Sequence, residues 1–266
     1  MKSEVLQRFS LGKDPTGYTE DRIVEASGFI GILDGSAGPL GEGRNLITAI
    51  LDSAVATIES LPDNTDLPDL VDLLSREVAT RKRIAGSPDM RLDGGFVFCL
   101  FAREFSEIWR VGDCKFRNGP QVNDRMFGAE DISASARSMI IKARQAGGAS
   151  DCEIMEADGY DDLISELLRE QCNLLNRANH PLSIGAINGT SVPENLVERF
   201  PAEPGRLMIT SDGYPEVFSE LNDNEQALAR LLKEDPLCIS VNRQCKGMRP
   251  GRLSFDDRSC ISIRLV

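Results

Sequence analysis

Phe29-Ile30-Gly31-Ile32-Leu33-Asp34-Gly35 is an apolar run closed by a carboxylate and a glycine. A carboxylate fits poorly inside a strand and well at its end, so the run reads as a buried strand that stops at Asp34. The same arrangement recurs in three other parts of the chain. Asp113 follows the segment from Glu107 to Gly112, and Asp212 follows the segment from Arg206 to Ser211. Asp256 and Asp257 precede the apolar segment Ser259 to Val266. Four strands that bring carboxylates to one edge of a sheet would form a cage of oxygen ligands, suited to a hard divalent cation.

Outward from these runs the chain separates into blocks of strand and helix. Residues 5–33 read as strand-rich, with the polar turn Gly12 to Gly17 between two segments. Helical spacing follows over 44–61, where Ile47, Ile50, Leu51, Ala54, Val55 and Ile58 share one face. A second helix is expected from Pro68 to Ile84, with Asp66 as its N-cap. Gly95 to Ala102 and Phe105 to Val111 read as a hairpin. Helical spacing returns over 131–145, on Ile132, Ala136, Met139, Ile140 and Ala143, and again over 160–177. Short strands are expected at 183–188 and 206–210, a helix at 225–233 and a closing strand at 259–266. Strands come in runs and do not alternate with helices. The fold class expected is therefore α+β, with antiparallel sheets flanked by helices.

Composition excludes several functions. The chain of 266 residues carries a net charge of -12, against the basic footprint that non-specific nucleic-acid binding needs. Its seven cysteines include no C-x-x-C pair, which points to a reducing, cytoplasmic setting. The longest apolar run, Phe96 to Ala102, is too short to span a bilayer, and the first residues lack the apolar core of a signal peptide. The one histidine, His180, stands in a turn-like Asn-His-Pro context. A solitary histidine excludes a His-rich zinc site and argues against a Ser-His-Asp triad.

Asp-Gly is a common turn dipeptide and occurs here at Asp34, Asp93, Asp158 and Asp212. Asp93 and Asp158 read as turn residues, because neither closes an apolar strand.

In order, the chain carries Glu20-Asp21-Arg22, Leu33-Asp34-Gly35-Ser36-Ala37-Gly38, Val111-Gly112-Asp113-Cys114, Thr210-Ser211-Asp212-Gly213 and Phe255-Asp256-Asp257. This series resembles the PPM family of type-2C metal-dependent Ser/Thr protein phosphatases, over about residues 15 to 266. The resemblance implies one domain, a β-sandwich of two antiparallel sheets with helices on both sides, and a flap at about 145–162. It implies two tightly bound Mn²⁺ or Mg²⁺ ions, with a weaker third, and a water between the first two that attacks a phosphoserine or phosphothreonine of a protein substrate. Asp34 would bridge the ions and the Gly35 carbonyl would bind one of them. Glu20, with Asp21, would support that ion directly or through water. Asp212 and Asp256 would hold the other, and Asp113 would serve the third site. The position of the family's phosphate-binding Arg is Thr16 here, with Arg22 an alternative clamp. That departure keeps two other readings open: a binding or regulatory module that retains metals without turnover, and a phosphatase for a small phosphorylated metabolite.

Overall fold

The computed structural model describes residues 1–38, 44–87, 89–157 and 162–266. Among them ten strands form two five-stranded antiparallel sheets. The first sheet holds β1 (Ser3–Leu11), β10 (Arg258–Leu265), β9 (Gly205–Thr210), β6 (Lys115–Asn118) and β7 (Gln121–Asn123), in that order. The second holds β2 (Asp21–Glu25), β3 (Phe29–Ser36), β4 (Gly95–Ala102), β5 (Glu107–Val111) and β8 (Val197–Pro201). β1 and β2 are neighbours in sequence but lie in different sheets, so the Gly12 to Gly17 turn carries the chain from one sheet to the other.

The layers follow from the period-two alternation of the strands. On β3, Ile30 and Ile32 face the first sheet, where they meet Phe116, Leu207, Ile209, Ile261 and Ile263. Phe29 and Leu33 face outward onto α1 (Arg44–Ser60) and α2 (Leu67–Ile84), against Ile47, Leu51, Leu70 and Leu74. Asp66 caps α2 by accepting from the Asp69 N–H at 3.0 Å, as its position before Pro68 predicts. On the opposite side α6 (Leu221–Glu234) covers the first sheet through Leu228 and Leu231, which pack on Met208, Phe255 and Cys260. The expected sandwich with helices on both sides is the architecture observed.

Several local expectations are corrected. Residues 183–188 form no strand and contribute only isolated bridges, Ile184 to Leu175 and Ile187 to Phe96. β6, β7 and β8 fall in stretches too short and too polar to show a strand pattern. The helix expected over 160–177 is α5 (Asp162–Gln171), followed by a single 3₁₀ turn. Residues 151–157, expected within a flap, form α4 (Asp151–Ala157), and Ile154 is buried with Ile141, Leu237 and Ile239. Residues 158–161 of that expected flap lie outside the described residues.

The largest correction concerns α3 (Gly128–Ala146). The apolar face expected to turn inward carries Ile132 and Met139, and both are exposed. The buried face is half polar, holding Ser133, Arg137 and Ser138 beside Ala129, Ala134 and Ile141. Its reason is hydrogen bonding: Arg137 donates to the carbonyls of Leu237 at 2.9 Å and Gln244 at 3.1 Å, and Ser138 donates to that of Ile239 at 2.7 Å. A buried polar face is stable when its partners are fixed backbone carbonyls.

The crossing from β5 to β6 also moves the chain between sheets, and it does so through Gly112 at φ +90°. A Cβ there would collide with the Val97 side chain. Gly119, at φ +58°, has open space around its missing Cβ. Gly112→Ala should therefore destabilise the fold by more than Gly119→Ala, which carries only the backbone cost of about 1–3 kcal/mol. Urea denaturation midpoints of the two variants test this, and equal losses would show that the crossing at Gly112 is not sterically tight.

Candidate functional site

Alternation places the carboxylates as it places the core. Asp34 shares its face with Ile30 and Ile32, and Asp21 shares its face with Ile23, which packs against the same inter-sheet core. Both therefore point between the sheets, at one end of the sandwich. The β2–β3 register sets Asp21 directly opposite Asp34. Like charges in that position repel. From the other sheet, the Asp212 N–H at the end of β9 donates to Asp34 Oδ2 at 3.1 Å. Asp113 enters from the β5–β6 crossing and shares a hydrogen bond with Glu130 of α3, with Glu130 as donor.

Asp34, Asp113, Glu130, Asp212 and Asp256 line one cavity of about 930 Å³, together with Glu20 and Gly35. The electrostatics record their crowding. Burial, then Asp212, Asp21 and Asp113, hold the Asp34 carboxyl well above the usual carboxylate range. Burial and Asp212 raise Asp113 in the same way, and burial with Asp113 raises Glu130. Asp21, only 2% exposed, is pushed up to about 7 by burial, against the hydroxyls of Ser211 and Ser259 that pull it down. Its Oδ2 has no hydrogen-bond partner.

Other acidic side chains already have partners, Asp256 within the cavity among them. Asp257 accepts from the N–H groups of Lys13 at 2.7 Å and Glu20 at 2.9 Å, so it clips the β1–β2 turn to the start of β10. Asp256 pairs with Lys13 at 3.0 Å and with Lys246. Asp93 accepts from Ser87 and faces the buried Lys82, away from the cavity, as a turn residue should. Asp158 lies outside the described residues. Gly35 approaches the Glu20 carbonyl so closely that a Cβ would stand 2.5 Å from that oxygen. His180 is an exposed turn residue whose Nδ1 accepts from the Leu182 N–H at 3.2 Å.

The donor set is oxygen throughout, crowded and short of countercharge around Asp34, which fits a hard divalent ion. Among the described residues no three acidic, cysteine or histidine side chains are gathered tightly enough to hold an ion as they stand.

Around the acidic floor runs a cationic rim of Lys13, Arg44, Arg91, Arg169, Lys246 and Arg252. Thr16 is exposed and absent from the lining, and Arg22 is turned onto Asp52 at 2.8 Å. Arg44 and Arg252 flank Asp14, at 3.9 and 3.5 Å, and Arg44 also lies over the Tyr18 ring. Glu130, Lys246 and these arginines were not singled out from sequence. Each comes from a helix end or loop with no strand pattern to mark it.

No protein-family model and no curated protein sequence matches the chain. Similar solved structures include serine/threonine phosphatases. PstP/Ppp of Mycobacterium tuberculosis is 13% identical over 98% of this chain and 99% of that one, with a TM-score of 0.49. Stp1 of Staphylococcus aureus is 13% identical over 100% and 96%, also at 0.49. A further PstP catalytic domain, in complex with two manganese ions, is 14% identical over 100% of both chains at 0.49. These likenesses are of outline and assign no residue.

The crowded carboxylates make a prediction for the cation-free protein. Folded, Asp21 keeps its proton to about pH 7, where an ordinary aspartate loses it near 3.8. The folded state then binds more protons than the unfolded one, so stability from this group is lost as pH rises across that window. In EDTA, urea midpoints should fall from about pH 4 to about pH 7, and the fall should be shallower in Asp21→Asn. An identical profile in the variant would show that burial does not hold the Asp21 proton in the folded state.

Proposed function

We propose that this chain is a metal-dependent phosphomonoester hydrolase acting on phosphoserine or phosphothreonine in proteins. The observation that carries this reading is an acidic floor beneath a cationic rim in one cavity. A phosphomonoester dianion needs both: arginines to seat its oxygens, and an electrophile to draw charge from the reacting centre. A divalent cation on the floor supplies Lewis-acid polarisation and lowers the pKa of a nearby water. Mn²⁺ or Mg²⁺ suits a site built from oxygen ligands.

Asp34 and Asp212 are the central ligands in this reading, held together across the sheets by the Asp212 N–H. Asp113, backed by Glu130, supports a further ion. Glu20, Asp21 and the Gly35 carbonyl complete the near side, and Asp256 belongs to the second ion. Arg44 and Arg252, steadied by Asp14, replace the clamp that Thr16 cannot provide. A guanidinium binds phosphate through two parallel N–H donors, which orients the ester as well as holding it. The open cavity suits a phosphorylated side chain on a polypeptide.

No disulfide joins any of the seven cysteines, and among the described residues no helix is long and apolar enough to cross a membrane. Both agree with the cytoplasmic setting we propose.

Hydrolysis of p-nitrophenyl phosphate and of a phosphopeptide panel, with Mn²⁺, Mg²⁺ or EDTA, tests the reading. Turnover should require the ion and disappear in EDTA. Asp34→Ala should lower kcat/KM by roughly a thousandfold or more, about 4 kcal/mol of lost transition-state stabilisation. Arg252→Ala should act mainly on KM, and Asp93→Ala should leave turnover in place. Mn²⁺ binding without any phosphomonoester turnover would contradict the enzyme and favour a binding module.

A further inference from the structure

Asp256 differs from the other carboxylates of the floor in having both oxygens occupied. Its Oδ1 accepts from Lys13 Nζ at 3.0 Å and from the Asp257 N–H at 2.9 Å. Its other oxygen pairs with Lys246 Nζ, which also stands 4.0 Å from Asp212. Asp34, by contrast, is surrounded by Asp21, Asp113 and Asp212 and accepts only a backbone N–H. The floor is therefore uneven: Asp34 is crowded by carboxylates, while Asp256 already holds two lysines.

The position of Lys246 is built into the fold. It rides on the loop between α6 and β10, and the residues on both sides of it are anchored. The Gln244 N–H donates to the Cys238 carbonyl at 3.0 Å and the Met248 N–H to the Pro236 carbonyl at 2.8 Å. Cys245 reaches the Glu130 carbonyl at 3.7 Å. Gly247 lies so close to Leu237 and Arg137 that a Cβ would stand 2.6 and 2.7 Å from their atoms. Asp235 ties the loop's start by accepting from the N–H groups of Ile239, Ser240 and Val241 at 3.0, 2.7 and 2.7 Å. The Leu253 N–H donates to the Lys13 carbonyl at 2.8 Å, joining this loop to the turn that carries the second lysine. A loop so heavily bonded fixes the backbone from which the ammonium reaches the floor.

We propose that Lys246 is a resident cation that competes with a divalent ion for Asp256. It rests on the metal-dependent reading above and adds an order of loading to it. The first ion enters beside Asp34, which is crowded by carboxylates and accepts only a backbone N–H, whereas Lys115 and Lys246 already act on Asp212. A second ion reaches Asp256 only when Lys246 swings away. Lys246 can do so because its side chain is 38% exposed, whereas that of Lys13 is 19% exposed and clamped by Asp256 and Asp257 together. The weaker of two sites is thus weakened by a side chain of this chain, and removing that side chain should strengthen it.

Titration calorimetry with MnCl₂ on the full chain tests this without any substrate. The wild type should show one tight site and one weaker site. Lys246→Met should tighten the weaker site on the order of tenfold, the scale of one close charge pair removed, and change the tight site much less, since Lys246 stands 4.0 Å from Asp212. Lys246→Arg keeps the charge and should keep the wild-type isotherm, and circular dichroism of all three proteins confirms that each is folded. Two sites of unchanged affinity in Lys246→Met would overturn the competition while leaving the metal reading intact. No Mn²⁺ binding by any of the folded proteins would overturn both.

Discussion

The structure depends on one unfavourable contact. The register of β2 and β3 opposes Asp21 to Asp34 on the inner face, at the mouth of the sandwich. The register cannot slip by one residue to relieve it, because Ile23, Ile30 and Ile32 would then leave the inter-sheet core. Burial of the core thus forces two carboxylates together, and β9 brings Asp212 to the same place. Protonation or a bound cation relieves that crowding. A fold that only needed to be stable would put apolar residues at these positions.

The surrounding features make sense as consequences. The β1–β2 turn and the β5–β6 crossing pass between sheets and bring Lys13 and Asp113 to the cavity. Asp257 clips the β1–β2 turn in place from the first sheet, accepting from the backbone of both Lys13 and Glu20. Gly112 permits the β5–β6 crossing because nothing larger fits beside Val97. The acidic floor and the cationic rim then arise from different parts of the topology, strand ends joined by Glu130 of α3 for the floor and mostly loops and helices for the rim.

That division also explains what could be read from the sequence. Asp34, Asp113 and Asp212 were legible because each closes an apolar run, and a run of continuous burial leaves a plain trace. The sorting of Asp93 away from the site followed from the same criterion, and it lies beside Lys82 as a turn residue would. The rim was not legible, since an arginine in a loop carries no signal of where it points. The α3 face was misread because its apolar spacing, with Ile132 and Met139, is the exposed one. Arg137 and Ser138 are buried there only because the α6–β10 loop turns carbonyls toward them, a tertiary fact with no local mark. Asp256 was legible as an acidic strand-start residue, but its two lysine partners come from Lys13 and Lys246, far from it in sequence or hidden in a polar loop.

The central claim is that the crowded mouth is relieved by a divalent ion bound at Asp34. A melting scan with Mn²⁺ against EDTA, on wild type and Asp34→Ala, tests it most directly. At about a hundredfold over Kd, each ion bound only by the folded state should add about 2.7 kcal/mol. In a chain of this length each kcal/mol raises the melting temperature by about 2–4 °C. The account predicts a clear rise in the wild type that is largely lost in Asp34→Ala. An equal rise in both proteins would place the ion elsewhere and contradict the account.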